Sequence, residues 1–364
     1  MGKIYTALGF MSGTSGDGVD SSVIQSDGKD QVLIKWNKYN PYPRYLSSEI
    51  HRIKEKIQNP RDLSNFSNEI ELLEDKLTNF HADVAKKWFE KIKIDIIGFH
   101  GQTIFHNSDE KISKQLGLGK KLSHLTNKTV VYDFRKNDLK NGGEGAPLTP
   151  IYHLLLIKVL AKKEKVKVPV TILNIGGIAN ITSINKNYEM ISMDIGPGNC
   201  MIDKWIRINS DKNFDENGNI SKSGNIDKFI LAQSLDNFYN NKISKKKSLD
   251  TNDFDVSFAS GLSLENGAAT ITEFTADILS KKIIKNDVYV CGGGRKNKFL
   301  IEKIRKKIKN KIKNIDYLGI DGGFIESQAF GYLAIRSFLR LPISFPETTG
   351  CKKPSTGGVI VKNY

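Results

Sequence analysis

Short apolar runs alternate with amphipathic stretches along this chain, and most of the apolar runs end in glycine. Residues 4–10 (IYTALGF) predict a strand that enters a turn rich in Gly, Ser and Thr, and VDSSVIQS beyond the turn can pair back as a second strand. Apolar residues at steps of three and four predict a helix over 68–92. A short buried strand is predicted at 94–99, followed by the loop HGQTIFH, and a further strand is predicted at 129–133.

The second half of the chain opens as the first half does. VPVTILNIGG predicts a strand that runs into a glycine turn, and IANITSI predicts the returning strand. EMISMDIGPGN and DVYVCGGGRKN predict two more strands that end in glycine. Helices are predicted over 148–163, 262–283, 297–313 and 324–340.

Strands that alternate with helices are typical of α/β proteins. Because both halves open with a hairpin whose turn is rich in glycine, we expect two related lobes that face a cleft. The expected N-terminal lobe consists of residues 1–146 plus about 343–364, and the expected C-terminal lobe of 147–342.

Composition restricts the choice of partners. The 364 residues are 39% hydrophobic, which excludes a disordered chain. The 55 Lys and Arg exceed the 40 Asp and Glu, giving a net charge of +15, a value that would suit a nucleic-acid partner. The positive residues are nearly all lysines spread along the chain with Asn and Ile, and neither zinc-finger spacing nor an RNA-binding aromatic motif occurs, so we expect no nucleic-acid partner.

Membrane and secretory signals are not expected either. No apolar run approaches the roughly 20 residues that span a bilayer, and the start MGKIYTALGF is interpreted as a strand rather than a signal peptide. Three widely spaced cysteines indicate neither a disulfide framework nor a zinc site. The composition therefore favours a cytoplasmic protein without a membrane partner.

The first glycine turn carries the strongest chemical signal. It comprises Gly13, Thr14, Ser15, Gly16, Asp17, Gly18, Val19 and Asp20. Glycines let successive backbone N–H groups form an anion-binding nest, and hydroxyls add donors. A Mg²⁺ ion between Asp17 and a phosphate would reconcile the carboxylate with that ligand. The alternative is a plain tight hairpin, and the chain contains no GxxxxGK[ST] phosphate loop.

Three further turns follow apolar strands. Gly176 and Gly177 have the same character as the first turn. Asp194 follows a buried strand, where an aspartate can act as a general base, anchor Mg²⁺ or simply cap the turn. The three glycines Gly292, Gly293 and Gly294 would let a nucleobase or ribose lie against the backbone, or would serve only as a flexible connection.

Polar side chains after two other strands suit sugar hydroxyls. His100 and Gln102 follow the strand at 94–99, and Arg135 and Asp138 follow the strand at 129–133. Arg135 can clamp a carboxylate or form a salt bridge to a neighbouring aspartate. The histidines lack the spacing of a zinc site. Two hairpin turns suited to phosphate, without a Walker motif, favour the two-lobed actin-like fold of sugar kinases, Hsp70 and actin.

These motifs together resemble one family. MSGTSGDGVD (11–20), GFHGQT (98–103), DFRKNDLKNGGEGAPLTP (133–150), LNIGGIANIT (173–182), DIGPGNCMID (194–203) and VCGGGRKN (290–297) are similar to the motifs of anhydro-N-acetylmuramic acid kinases, in the same order. The resemblance implies an actin-like ATPase fold and a homodimer. It implies that ATP and water convert 1,6-anhydro-N-acetylmuramic acid into N-acetylmuramic acid 6-phosphate and ADP, in the recycling of peptidoglycan sugars.

The resemblance also assigns roles to residues. The turn from Gly13 to Asp20 would bind the ATP phosphates, as would Gly176 and Gly177, and Asp194 would be the general base that activates water. The adenosine would lie at Gly292, Gly293 and Gly294. The implied sugar-binding residues are His100, Gln102, Arg135, Asp138, Glu144 and Pro147.

Two residues depart from the family pattern. Gly16 stands where a larger apolar residue is usual, and Glu144 stands where Gln is common. A kinase for another sugar or amino sugar therefore remains an alternative. A non-enzymatic actin-like protein is a further alternative, although such a protein would have no use for the DIGPGN aspartate and the HGQT segment.

Overall fold

The computed structural model describes residues 2–13, 15–241, 248–283, 286–309 and 311–362. The chain divides into unit 1, Met1–Lys165 with Phe324–Tyr364, and unit 2, Val166–Gly323. The described strands are β1 Tyr5–Ser12, β2 Gly18–Ser26, β3 Val32–Pro41, β4 Ile96–Asn107, β5 Ile112–Leu116, β6 Thr129–Tyr132, β7 Val170–Ile175, β8 Ile178–Ile184, β9 Met190–Pro197, β10 Asp287–Cys291, β11 Ile312–Asn314 and β12 Val359–Val361.

The helices in the described ranges differ widely in length. They are α1 Arg44–Lys56, α2 Pro60–Asn65, α3 Ser67–Phe89, α4 Gly119–Thr126, α5 Lys136–Lys140, α6 Pro150–Lys162, α7 Cys200–Asn209, α8 Asn219–Ser223, α9 Lys228–Asn240, α10 Leu264–Lys282, α11 Lys298–Lys307, α12 Ile325–Phe338 and α13 Pro346–Thr349. None of those helices combines the length and apolar character needed to cross a membrane.

Each unit has its own sheet, and the two sheets share the same arrangement of central strands. In unit 1 the strand order is β12-β6-β4-β1-β2-β3, with β5 added to β4, and in unit 2 it is β11-β10-β7-β8-β9. Both sheets contain an antiparallel meander of three strands, β1-β2-β3 in unit 1 and β7-β8-β9 in unit 2. On its other edge, the first strand of each meander pairs with a strand parallel to it, β4 in unit 1 and β10 in unit 2, and that strand pairs in turn with a further parallel strand, β6 in unit 1 and β11 in unit 2. The predicted α/β class and the predicted repetition of the opening hairpin are confirmed. The cleft expected between two lobes stays a prediction.

Each unit has its own core. Alternate residues of β1 and β4, such as Leu8, Phe10 and Phe99, pack with apolar residues of α1 and α3. In unit 2, Leu173 and Ile195 pack with residues of α7 and α10. Successive side chains of a strand point to opposite faces of the sheet, so only alternate residues of β1 and β4 reach this core.

Helix α12 explains where unit 1 ends. It packs on β1, β2 and β4, and it can lie directly on the sheet because the strands carry glycine there: a Cβ atom on Gly9 would be 1.9 Å from the Ser327 carbonyl oxygen, and one on Gly98 would be 2.2 Å from the Phe330 carbonyl oxygen. Helix α6 packs on β3 and α12. Both helices therefore belong to unit 1, and the boundaries between the units lie at 165/166 and 323/324 rather than at the expected 146/147 and 342/343.

Two predicted elements differ from the observed ones. HGQTIFH is not a loop, because β4 continues to Asn107 and β5 pairs back on it antiparallel, with Gln102 opposite Leu116. The helix predicted over 297–313 ends at Lys307, since Ile312 instead pairs with Val288 and completes the second sheet as β11. The remaining predicted strands and helices are present with shifts of a few residues at their ends.

Candidate active site

The turn between β1 and β2 is tight and favours glycine. The Gly16 amide donates to the Gly13 carbonyl oxygen at 3.2 Å. Gly16 has a φ of +67°, a conformation that other residues rarely adopt, and a Cβ atom there would lie 3.0 Å from Ile50. The backbone conformation thus accounts for glycine at position 16. Thr14 lies outside the described residues.

Carbonyl groups of this turn are anchored to the body of unit 1. Gln102 Nε2 donates to the Gly13 carbonyl oxygen at 2.9 Å. Ser47 Oγ, on α1, donates to the Gly16 carbonyl oxygen at 2.9 Å. Because a trans peptide directs its C=O and the following N–H in opposite directions, the anchored carbonyl of Gly16 turns the Asp17 amide away from α1. The anchors therefore fix the backbone of the turn at Gly13 and Gly16 and the direction of the Asp17 amide.

Asp17 and Asp20 are more exposed than Gly16, Gly18 and Val19 in the same turn. The Asp17 carboxylate is half exposed and lies 3.9 Å from His51 Nε2. Burial, and then the charges of Asp17 and Asp20, raise the pKa of the Tyr39 hydroxyl, so both carboxylates lie within electrostatic reach of one phenol. Gly18 and Val19 begin β2, and the Val19 side chain is in the core. The turn itself offers two carboxylates and the exposed Ser15.

His100 and Arg135 form a buried pair. Arg135 Nη2 lies 2.9 Å from His100 Nε2, and His100 Nδ1 lies 2.8 Å from the Gly101 carbonyl oxygen. Burial, and then the Arg135 charge, hold the pKa of His100 well below its usual range. The ring is therefore neutral at pH 7, with the proton on Nδ1 and with Nε2 accepting from the guanidinium. The Phe330 ring packs on the imidazole at 4.4 Å between centroids.

Hydrogen bonds to the side chains of Asp138 and Arg135 hold the backbone of the glycine-rich segment after α5. Asp138 is only 1% exposed, and its Oδ2 accepts from the Gly145 amide at 2.7 Å while Oδ1 accepts from Thr349 Oγ1 at 2.7 Å. Arg135 Nη1 donates to the Gly145 carbonyl oxygen at 2.8 Å. Asp138 thus supports the backbone of the segment.

Two other predicted sugar-binding residues lie on this supported segment. The Glu144 amide donates to the Thr349 carbonyl oxygen at 2.8 Å, and the side chain is half-buried. Pro147 is buried and follows a cis peptide bond. Sequence reasoning missed Thr349 as a partner of Asp138, although the TTG at 348–350 was a signal for a constrained turn.

In unit 2 the turns after β7 and β9 are tied together. The Gly198 amide donates to the Gly177 carbonyl oxygen at 2.8 Å, and the Asn199 amide donates to the Gly176 carbonyl oxygen at 2.8 Å. The approach requires glycine, because a Cβ atom on Gly198 would be 2.2 Å from the Gly176 carbonyl oxygen. The two turns therefore act as one rigid surface at this edge of the sheet.

Asp194 lies on β9 and is 6% exposed. Its Oδ2 accepts a hydrogen bond from the Leu249 amide at 2.9 Å, which fixes the orientation of the carboxylate. Burial lowers the pKa of Lys282, and the charge of Asp194 opposes that shift, so a cationic side chain lies within electrostatic reach of the carboxylate. The Asp194 carboxylate is thus buried, oriented by a backbone donor and close to a cationic side chain.

The glycines after β10 adjoin a charged cluster that sequence reasoning missed. Arg295 Nη1 donates to the Gly292 carbonyl oxygen at 3.1 Å, and its guanidinium also contacts Asp316 and Asp321. The Arg in GGGRKN and the Asp in GIDGG were the available signals. A cavity of about 330 Å³ is lined by Arg295, Asp316, Gly319, Ile320 and Asp321. A Cβ atom on Gly293 would meet nothing within 4 Å, so the surface beside that residue is open.

Comparisons with known proteins agree with the motifs. The model of the family described as anhydro-N-acetylmuramic acid kinase matches residues 5–363. The anhydro-N-acetylmuramic acid kinase of Pelagibacter ubique is 50% identical over 379 residues, covering 100% of both chains, and that of Agrobacterium fabrum is 36% identical over 383 residues, again covering 100% of both. A solved ROK family glucokinase from Streptomyces griseus aligns with a TM-score of 0.35 and 11% identity, covering 90% of this chain and 99% of that one. The full-length sequence matches show that the chain belongs to the anhydro-N-acetylmuramic acid kinase family.

Proposed function

We propose that this chain is an ATP-dependent sugar kinase that converts 1,6-anhydro-N-acetylmuramic acid, water and ATP into N-acetylmuramic acid 6-phosphate and ADP. Membership of the family over the full length supports the reaction. The structural observation that carries it is the buried Asp194 carboxylate, held by the Leu249 amide on the strand that runs into the Gly196-Pro197-Gly198 turn.

Asp194 acts as the general base in this proposal. It removes one proton from water as the water oxygen bonds to C1 of the sugar, and the bond between C1 and O6 breaks. The released O6 bonds to the γ-phosphorus of ATP, and the bond from that phosphorus to the bridging oxygen of ADP breaks. The proton on Asp194 then passes to solvent. General-base catalysis typically contributes about 10²- to 10⁴-fold to a rate.

The β1–β2 turn binds the phosphates of ATP in this proposal. Its support is the anchoring of the Gly13 and Gly16 carbonyls, the second of which directs the Asp17 amide away from α1. Asp17 and Asp20 would hold Mg²⁺, which usually binds proteins through one or two carboxylates plus substrate phosphates. When bound, the ion neutralises phosphate charge. Gly176 and Gly177 contribute further phosphate contacts, and Gly292, Gly293 and Gly294 contact the adenosine.

The sugar is bound by groups on β4 and by groups that follow β6. His100 and Arg135 support one another, and Gln102 is held next to the phosphate turn. Asp138 acts through the Gly145 backbone, and Glu144 and Pro147 lie on the same segment. We further propose that the enzyme is a cytoplasmic homodimer.

Product identification tests the proposed function. Incubation of the protein with ATP and the anhydro sugar should release ADP and yield N-acetylmuramic acid 6-phosphate by mass spectrometry. In water labelled with oxygen-18, the label should appear at C1, because the ring is opened hydrolytically. ADP release with glucose or N-acetylglucosamine but not with the anhydro sugar would contradict the proposal.

A further inference from the structure

A row of polar side chains crosses the sheet of unit 2 at the position of Asp194. Asn174 on β7 lies opposite Asn180 on β8, and Asn180 lies opposite Asp194 on β9. Residues directly opposite in antiparallel strands project from the same face, with Cβ atoms about 4.5–5.5 Å apart. The neighbouring residues Leu173 and Ile181 project from the other face into the core of unit 2. Asn180 is therefore the cross-strand neighbour of the proposed base.

The carboxamide oxygen of Asn180 is available for a hydrogen bond. Oδ1 is buried, and no group of the described residues donates a hydrogen bond to it. Buried polar atoms are nearly always satisfied in native proteins, so an exception beside a catalytic carboxylate calls for a ligand that donates. A second carboxylate can only accept hydrogen bonds and is therefore excluded. A hydroxyl group or a water molecule can donate a hydrogen bond to Asn180 Oδ1 and is favoured.

We propose that Asn180 Oδ1 binds the water molecule that Asp194 activates, which makes Asn180 a second catalytic residue. This inference rests on the proposed function. One hydrogen of the water is donated to Asp194 and the other to Asn180 Oδ1, so a lone pair of the oxygen is left to attack C1. As the new C1–O bond forms and the C1–O6 bond breaks, Asp194 takes the first proton. The second hydrogen stays on the new anomeric hydroxyl and is still donated to Asn180.

Two acceptors solve a geometric problem that one carboxylate leaves open. A water molecule held by Asp194 alone can rotate about that hydrogen bond, and only part of its orientations directs a lone pair at C1. A second acceptor fixed on the neighbouring strand restricts the rotation, and such orientation lowers the barrier of the chemical step. The effect concerns the bound water only, so it should leave the affinities for ATP and for the sugar unchanged.

The first test is Asn180→Ala with Thr182→Val as its matched control. Thr182 lies two residues further along β8, on the same face, and is equally part of the sheet. Loss of one hydrogen bond to a group that develops charge should lower kcat roughly tenfold to a hundredfold in Asn180→Ala. The KM values for ATP and for the anhydro sugar should stay within about twofold, and Thr182→Val should keep wild-type kcat.

The second test changes the charge instead of removing the acceptor. In Asn180→Asp a second carboxylate stands opposite Asp194, and like charges disfavour the ionised form, so the pKa of the pair rises. The acid limb of the kcat profile should then move to higher pH, which a loss of structural support would not cause. This variant also covers the case in which Asn180→Ala does not fold.

The outcomes separate the two proposals. Wild-type kcat in Asn180→Ala, or an unshifted acid limb in active Asn180→Asp, overturns the role of Asn180 while the proposed function stands. A rise in both KM values with unchanged kcat also overturns it, because Asn180 would then bind substrate rather than water. Failure of the wild-type protein to make the 6-phosphate removes the proposed function and this inference with it.

Discussion

Gln102 Nε2 donates a hydrogen bond to the Gly13 carbonyl oxygen at 2.9 Å, across 89 residues of sequence. The bond joins the part of β4 where sugar-binding groups are proposed to the turn where the ATP phosphates are proposed to bind. The Gln102 side chain is fully buried, so the link cannot be replaced by bulk water without a change in packing.

Gln102→Glu should raise the KM for ATP about tenfold. The substitution replaces the donor by a carboxylate oxygen facing the Gly13 carbonyl, and the turn loses one anchor. The control is Gln115→Glu, because Gln115 lies on the neighbouring strand β5 and bonds to Ser113 rather than to the turn. Steady-state kinetics with varied ATP provide the measurement. Equal changes in the two variants would refute a specific link to the phosphate turn.

Ser47→Ala should raise the KM for ATP about two- to tenfold. Its hydroxyl donates to the Gly16 carbonyl oxygen, and a neutral hydrogen bond of this kind contributes about 0.5–1.5 kcal/mol. Ser48 is the next residue of α1 and is exposed, so Ser48→Ala is the matched control and should retain wild-type KM. Titration calorimetry with a non-hydrolysable ATP analogue would measure the same difference as a Kd. Identical Kd values for the two variants would count against an anchoring role of Ser47.

Asp194→Asn should lower kcat by about 10²- to 10⁴-fold while ATP binding is largely spared. The amide cannot take the proton from water, but it preserves the size of the side chain and can still accept from the Leu249 amide. Asp287→Asn is the control, since Asp287 is an exposed residue at the start of β10 in the same unit. An active Asp194→Asn enzyme would remove Asp194 from the role of general base.

Acid should destabilise the protein partly through His81. Burial lowers the pKa of His81 from about 6.5 to about 4, and its Nδ1 lies 2.8 Å from the Leu77 carbonyl oxygen. Below pH 6.5 the unfolded chain binds a proton that the folded chain does not, so stability falls as the pH decreases from 6.5 towards 4. At pH 5 the loss from this residue is about 2 kcal/mol.

The comparison of wild type with His81→Phe checks this pH dependence. Phe10, Phe99 and Phe80 surround the ring, so an aromatic replacement keeps the packing. Urea unfolding at pH 7 and pH 5 should show a smaller loss of unfolding free energy in the variant. If the free energy of unfolding falls by the same amount between pH 7 and pH 5 in both proteins, His81 is excluded as a cause.

The sequence predicted the elements that depend on local pattern. Both hairpins were recognisable because apolar alternation stops at glycines, and Asp194 stood out because it lies between the apolar segment MISM and the glycines of IGPG. The extent of β4 was missed, since HGQTIFH becomes a strand only when β5 pairs with it. The sheet on which α12 packs was missed as well, because the helix pattern shows an apolar surface but not its partner.

Supporting residues of the candidate site were the hardest to predict. Ser47 and Thr349 are single hydroxyls whose partners, Gly16 and Asp138, are remote in sequence, and nothing local distinguishes them from other serines and threonines. Arg295 was visible in a motif, but its carboxylate partner Asp316 was not, because the contact depends on the turn after β11. Sequence patterns report periodicity and turn chemistry, whereas side-chain partners require the fold.

The position of α12 late in the chain determines which of the two units is completed first during translation. Unit 2 is one continuous stretch, Val166–Gly323, so all of its sheet is available once that stretch has left the ribosome. Unit 1 lacks the helix that covers β1 and β4, and the strand β12 that pairs with β6, until residues 325–361 have been made. The unit that is begun first is therefore completed last, and throughout most of translation the face of its sheet beneath Gly9 and Gly98 has no native covering helix.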